Sequence, residues 1–140
     1  MEKILVLLRG VPGSGKSTEA RRLMSGCEGK SAHYEADQYF MADGSYHFDP
    51  AKLPEAHGQC QAKTRAALED PSVEMVVVSN TFIRAWELKP YFDMAAELNV
   101  RVVVRRTTKV YGNAHGVPED RVRAMLSAME DIPGEELVGA

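Results

Sequence analysis

The apolar and polar positions of the chain follow two periods in turn, one typical of strands and one typical of helices. Strands are predicted at 3–8, 31–37, 73–80 and 100–105, and three of these four segments contain a continuous run of β-forming apolar residues. Between them, apolar residues recur at helical spacing, as Ala20, Leu23 and Cys27 do. Helices are predicted at 17–26, 51–68, 85–99 and 118–129.

Prolines and charges refine these boundaries. Pro54 predicts a kink in the second helix and Pro90 a break in the third, because proline removes one intrahelical hydrogen bond. Pro118 suits the first turn of the last helix. Residues 131–140, an acidic stretch with few apolar positions, are expected to form a frayed tail.

Alternating strands and helices predict a parallel sheet with right-handed crossovers. The expected architecture is a three-layer α/β sandwich, with a small sheet of about four strands and helices on both faces. One domain over residues 1–130 followed by the tail 131–140 accounts for the whole sequence.

Composition narrows the class of protein. The chain has 140 residues, 44% of them hydrophobic, and a net charge of −3, with a pI of about 5.8. This negative net charge argues against a broad basic surface that binds nucleic acid, so any contact with nucleic acid is expected to be local. Cys27 and Cys60 show no zinc spacing, and the longest apolar run, 4–8, is too short to span a membrane. A cytoplasmic protein with reduced thiols and no membrane partner is expected.

A phosphate-binding motif follows the first predicted strand. The pattern Gly10-x-x-x-x-Gly15-Lys16-Ser17 is the P-loop signature, and it lies between a strand and a helix as its mechanism requires. Backbone N–H groups of such a loop converge on phosphates, the lysine reaches the β- and γ-phosphates, and the Ser17 hydroxyl binds Mg²⁺. The motif predicts a P-loop NTPase fold with strand order 2-3-1-4 that binds ATP. The nucleotide-binding residues are expected to be Gly10, Pro12, Gly13, Ser14, Gly15, Lys16, Ser17 and Thr18.

Further segments carry a resemblance to a known family. The stretches LRGVPGSGKST, ADQYF, DGSYHFDP, VVVSNT, AWELKPY and HGVP occur in this order between residues 3 and 129. Together they resemble the predicted-kinase branch of AAA-type P-loop proteins, which is similar to the kinase domain of phage-type polynucleotide 5′-hydroxyl kinases. The small size also resembles that of phage-encoded proteins, which act in a host cytoplasm.

The resemblance assigns a general base. In that family an aspartate in a D-x-Y motif at the end of the second strand accepts the proton of the acceptor hydroxyl, and Asp37 occupies this position. A carboxylate beside the phosphate loop is ionised at neutral pH and suited to this role. The alternative is that Asp37 only caps the turn or helix that follows.

The sequence departs from the family pattern at two places. After the third strand the family carries a carboxylate, whereas this chain has Ser79, Asn80, Thr81 and Phe82. Asn80 and Thr81 remain candidates for contacting the acceptor or metal-bound water, and Mg²⁺ would rely on Ser17, the nucleotide phosphates and Asp37. In the predicted lid, residues 106–117, Gly112 replaces the family arginine. The candidates to supply the positive charge of the missing arginine are Arg105, Arg106 and Lys109.

The acceptor side carries aromatic and histidine residues. Tyr39 and Phe40 could stack on a base or belong to the core, since Phe40 stands where the phage kinases have an arginine. His47 and His57 lie in the segment expected to cover the acceptor, and Trp86 is expected to pack against the fold.

Two functions remain in competition on the sequence. The first is an ATP- and Mg²⁺-dependent kinase that phosphorylates a nucleic-acid or nucleotide-like acceptor. By resemblance the acceptor is a 5′-hydroxyl end, with a hydroxymethylated base in phage-type DNA or a small molecule as rivals. The second is a nucleotide-binding module or slow ATPase with a regulatory role, favoured by the missing carboxylate and lid arginine. The sequence does not indicate the oligomeric state.

Overall fold

A computed structural model describes residues 2–41, 44, 47–108 and 117–138. Its strands and helices alternate along the chain, as the sequence predicts. In order they are β1 Ile4–Arg9, α1 Lys16–Ser25, β2 Lys30–Tyr34, α2 Leu53–Glu69, β3 Val73–Asn80, α3 Ala85–Leu98, β4 Arg101–Thr107, α4 Glu119–Ala128 and β5 Glu136–Val138.

The strands form one parallel sheet of order β2-β3-β1-β4-β5. At its centre Val6 of β1 pairs with Val77 of β3 and Val103 of β4. The apolar β1 and β3 are central because only strands buried on both faces favour such continuous hydrophobic runs. The α/β class and the predicted order 2-3-1-4 are confirmed, and β5 adds a fifth strand at the β4 edge.

Helices cover both faces of the sheet. On one face Leu5 and Leu7 of β1 pack in a cluster that includes Leu88 and Tyr91 of α3. On the other face Val6 and Leu8 pack with Ala20 of α1 and Val77 of β3. This division follows the strict alternation of side chains along a strand, and the result is the predicted three-layer sandwich.

Three local predictions need correction. Strand β2 ends at Tyr34, and a 3₁₀ helix, Ala36–Met41, follows it. Pro54 lies in the first turn of α2, directly after a second short 3₁₀ helix, Pro50–Lys52. The proline therefore marks the start of the helix and does not kink it. Helix α3 continues through Pro90, because the proline deprives only the carbonyl of Trp86, in the exposed first turn, of its partner.

The C-terminal segment is not the frayed tail that its acidic composition predicts. Residues 136–138 form β5, in which Glu136 pairs with Arg105 of β4. Ile132 is buried, and the Glu135 carboxylate lies 2.9 Å from the guanidinium of Arg9. The acidic residues therefore attach this segment to the sheet, through arginines that lie far away in the sequence.

Membrane-spanning and disulfide features are not found in the described ranges. No helix there is long and apolar enough to cross a membrane. Cys27 and Cys60 are both free thiols.

Candidate active site

The glycine-rich loop has the backbone shape that its sequence predicts. Gly13 and Gly15 take positive φ angles of 80° and 93°, a region that side chains disfavour. Helix α1 begins at Lys16, directly after this turn. The loop therefore ends at a helix N-terminus, whose unpaired N–H groups and dipole favour a bound anion.

Gly10 and Ser14 fix the base of the loop against β4. A Cβ at Gly10 would lie 2.2 Å from Thr107 Oγ1, so no larger residue fits. The Ser14 hydroxyl is 2.6 Å from that of Thr107, and the Ser14 N–H donates to the Val11 carbonyl. The role of Ser14 in this structure is thus to hold the shape of the loop.

Lys16 reaches back over the loop. Its ammonium donates to the carbonyls of Gly10, at 2.7 Å, and Val11, at 3.1 Å. Burial lowers the pKa of Lys16 to about 8, although the carboxylates of Glu35 and then Asp37 oppose the shift. Both carboxylates are therefore close enough to Lys16 to act on its charge.

A cavity of about 780 Å³ opens above the loop. Its lining brings together segments that are distant in the sequence: the loop, the start of the 3₁₀ helix after β2, the end of β3, and helices α2, α3 and α4. The residues that line it are Pro12, Gly13, Gly15, Lys16, Ser17, Thr18, Glu35, Ala36, Asp37, Phe48, Leu53, His57, Ser79, Asn80, Thr81, Glu87, Val117, Pro118, Arg121 and Met125.

Asp37 lines this cavity from the 3₁₀ helix rather than from the end of a strand. Glu35, which the sequence reasoning did not single out, lines it too. The spacing E-A-D around Ala36 was the available signal. Two carboxylates thus share one cavity with the phosphate loop, and either can accept a proton or a hydrogen bond there.

The oxygen donors of the cavity suit Mg²⁺ together with a nucleotide. The Ser17 hydroxyl and the Glu35 and Asp37 carboxylates line the same space, and Mg²⁺ prefers such hard oxygen ligands. In the described ranges no three His, Cys, Asp or Glu side chains are grouped closely enough to hold a metal ion by themselves. A metal here would therefore depend on phosphate oxygens of the nucleotide.

The end of β3 holds its neighbours in place. The Asn80 carboxamide oxygen accepts a 2.9 Å hydrogen bond from the N–H of Ala36, and its nitrogen lies 3.9 Å from Cys60 Sγ. Ser79 Oγ is 2.8 Å from His33 Nε2, and burial, with the charge of Arg21, lowers the pKa of His33. Asn80, a candidate for contacting metal-bound water or the acceptor, therefore uses its carboxamide oxygen to bind the protein backbone.

Thr81 lines the cavity, and its carbonyl also accepts from the N–H of Gly10 at 3.2 Å. This bond joins the segment after β3 to the phosphate loop.

The aromatic residues are arranged differently from the prediction. Phe40 is 5% exposed and packs edge-on against Phe48, so it belongs to the core and cannot stack on a ligand base. The Tyr39 hydroxyl donates to Glu55 outside the cavity. Phe48 is the aromatic residue that lines the cavity, whereas Trp86, expected to pack, is 73% exposed.

The predicted lid cations are paired elsewhere. Arg105 lies 3.1 Å from Glu19 and 3.3 Å from Glu136, and Arg106 lies 2.9 Å from Asp131. Neither lines the cavity, because Arg105 is paired with α1 and β5, and Arg106 is paired with the segment before β5. Lys109 and most of the predicted lid, together with Gly112, fall outside the described residues.

Comparison with known proteins places this arrangement in a family. The profile of an AAA domain family, AAA_33, matches residues 5–110. The human NEDD4-binding protein 2 is 34% identical over 132 residues, which cover 88% of this chain but 7% of that protein's length. The chain thus corresponds to a small part of that relative.

Solved structures share the fold. Kti12 of Chaetomium thermophilum, in complex with ADP-AlF3, has a TM-score of 0.68 at 11% identity, covering 96% of this chain and 88% of its own. A Pnkp1/Rnl/Hen1 complex has a TM-score of 0.67 at 17% identity, over 99% of this chain and 47% of the matched chain. A gluconokinase from Sinorhizobium meliloti 1021 has a TM-score of 0.60 at 19% identity, with 98% and 81% covered.

At these identities the solved structures establish the fold, while the profile match over most of the chain establishes the family. The chain belongs to the AAA domain family AAA_33, a family of P-loop kinase-like domains.

Proposed function

We propose that this chain is an ATP- and Mg²⁺-dependent kinase that transfers the γ-phosphate of ATP to a hydroxyl group, with Asp37 as the general base. One observation carries the proposal: Asp37 lines the same cavity as the phosphate loop and Lys16. A pure nucleotide-binding module has no need of a carboxylate at that place.

The chain's own residues have distinct tasks in this reaction. The loop amides and Lys16 hold the phosphates, and the Ser17 hydroxyl holds Mg²⁺, which neutralises phosphate charge when bound. Asp37 accepts the proton of the acceptor hydroxyl while the oxygen of that hydroxyl attacks the γ-phosphorus. The bond from the γ-phosphorus to the β,γ-bridging oxygen breaks, and ADP leaves.

The proposed acceptor is a hydroxyl of a nucleic acid or a nucleotide-like molecule, with a 5′-hydroxyl end first and a hydroxymethylated base second. Three features support this choice. The D-x-Y segment resembles that of the polynucleotide kinases, a fold neighbour belongs to a complex with Pnkp1, and Phe48 offers an aromatic surface in the cavity. The shared fold of a gluconokinase makes a small polyol the main rival.

The test is a transfer assay with γ-labelled ATP and Mg²⁺. The acceptors are 5′-hydroxyl DNA, 5′-hydroxyl RNA, DNA with hydroxymethylated bases, free nucleosides and gluconate. Label in a nucleic acid or nucleoside supports the proposal, and label in gluconate alone overturns the acceptor class. Release of inorganic phosphate without any labelled acceptor supports a slow ATPase instead.

A further inference from the structure

Transfer of a phosphoryl group needs positive charge around that group, and Lys16 is the one cation that the phosphate loop, residues 10–17, supplies. In phosphoryl transfer, negative charge spreads over three equatorial oxygens, and an arginine that grips them contributes strongly to the rate. The position of the family's lid arginine is Gly112 here. Arg105 and Arg106 are held by carboxylates outside the cavity.

Arg121 is placed where such a charge is required. Of the lysines and arginines that the structure describes, Lys16 and Arg121 are the two that line the cavity. Arg121 is exposed and forms no ion pair within the described part of the chain, whereas Arg123, two residues later, pairs with Glu119 at 3.1 Å. Arg121 is therefore available to a ligand.

The helix that carries Arg121 presents one face to the cavity. Pro118, Arg121 and Met125 all line it, at the spacing of neighbours on one side of a helix. Arg123 does not line the cavity and is paired with Glu119. The two arginines of this helix therefore occupy different environments.

The same helix is anchored to the catalytic side of the sheet. Val122 is buried, and just beyond the helix the N–H of Glu130 donates to the Ile83 carbonyl at 2.9 Å. The Glu130 carboxylate in turn accepts from the N–H of Ala85 at 2.7 Å. These bonds join the segment just after α4 to the turn that follows β3, so the C-terminal end of the helix that carries Arg121 is held beside the strand end that lines the cavity.

We infer that Arg121 binds the γ-phosphoryl group during transfer. It thereby takes the role of the family's lid arginine, at whose position this chain has Gly112. This role rests on the proposed kinase function. The guanidinium of Arg121 donates to equatorial oxygens as charge develops on them, while Lys16 remains on the loop side. The contribution is greatest in the transition state, so it appears in kcat more than in ground-state affinity.

Steady-state kinetics of Arg121→Ala, Arg121→Lys and the matched control Arg123→Ala test this role with the best acceptor. Arg121→Ala is expected to lower kcat by about 100-fold or more, with both KM values changed by less than about threefold. Arg121→Lys keeps the charge without the planar fork and should recover part of the loss. Arg123→Ala should match wild type. An unchanged kcat, or an effect confined to the acceptor KM, would overturn the inference.

A binding measurement separates this inference from the proposed function. ADP with aluminium fluoride and Mg²⁺ imitates the transferring phosphoryl group and needs no acceptor. Wild type and Arg123→Ala are expected to bind ADP at least about tenfold more tightly when aluminium fluoride is present. Arg121→Ala should lose this gain while binding ADP alone normally. If no acceptor is ever labelled, the kinase proposal fails, yet loss of the gain still supports Arg121. Retention of the gain by Arg121→Ala, or its absence from wild type, overturns the role.

Discussion

Asn80 connects the end of β3 to the start of the 3₁₀ helix that carries Asp37. Asn80 is 8% exposed. Its carboxamide oxygen accepts from the N–H of Ala36, the residue immediately before Asp37. A bond between a central strand and the backbone beside Asp37 fixes where that carboxylate lies. We therefore expect Asn80 to position Asp37, the proposed base.

Replacement of Asn80 tests this positioning role. Asn80→Ala leaves the buried N–H of Ala36 without its partner, and a displaced base is expected to lower kcat by about tenfold to 100-fold. ATP affinity should stay within about threefold of wild type. Asn80→Asp keeps an acceptor oxygen and should restore most of kcat. Steady-state kinetics and thermal melts check this, and equal defects in both variants at equal stability would contradict the role.

The lowered pKa of Lys16 predicts how ATP binding varies with pH. Below about pH 7 the ammonium is already protonated in the free protein, so this group causes no dependence there. Above about pH 8 the free lysine is neutral, and binding of phosphates requires uptake of a proton. The affinity for ATP should therefore fall by up to about tenfold per pH unit between pH 8 and 10.

Calorimetry at pH 9 in buffers of different ionisation enthalpy measures this proton uptake directly. Lys16→Arg is the control, because arginine stays protonated throughout this range, so the uptake should disappear. Equal binding enthalpies in all buffers for wild type would contradict the lowered pKa.

Single residues were predictable where a motif fixes their place, and otherwise not. Lys16, Ser17 and Asp37 line one cavity because they belong to local patterns with defined spacing. Arg121 and Arg123 look alike in the sequence, and only the packing of α4 decides which one faces the cavity. Arg9 was not singled out either, although it is fully buried and donates to the carbonyls of Phe82 and Ile83.

At the scale of elements, β5 and the segment before it depend on ion pairs with the sheet. Glu135 is nearly buried against Arg9 and also accepts from the N–H of Ile132. Glu136 lies 3.3 Å from Arg105. A three-residue strand has no periodicity of its own to detect, and its partners lie 30 or more residues away along the chain, so the sequence indicated only an acidic stretch.

Glu135→Ala is expected to destabilise the protein by about 2–4 kcal/mol, because it leaves the buried guanidinium of Arg9 without its carboxylate. Asp131→Ala is the matched control, since that carboxylate pairs with Arg106 while 95% exposed, and such pairs contribute little. Urea unfolding of both variants measures the difference. A stability loss for Asp131→Ala as large as that for Glu135→Ala would contradict this account.

At the scale of the whole molecule, the parallel topology assembles the site. The phosphate loop follows β1, the 3₁₀ helix that carries Asp37 follows β2, and Thr81 follows Asn80, the last residue of β3. The carboxyl ends of three strands therefore meet at one edge of the sheet. Alternating elements and one motif were sufficient to predict this class and this edge. The acceptor was not predictable, because specificity depends on side chains that different segments bring into the cavity.

The most direct test of the account compares Asp37→Asn with wild type for γ-phosphate transfer and for ATP binding. Transfer is expected to fall by about 100-fold to 10,000-fold, while the affinity for ATP stays within about threefold, since the loop and Lys16 remain intact. Asp93→Asn, an exposed aspartate of α3 paired with Lys89, should transfer normally. Normal transfer by Asp37→Asn would contradict the central claim that Asp37 and the phosphate loop form one phosphotransfer site.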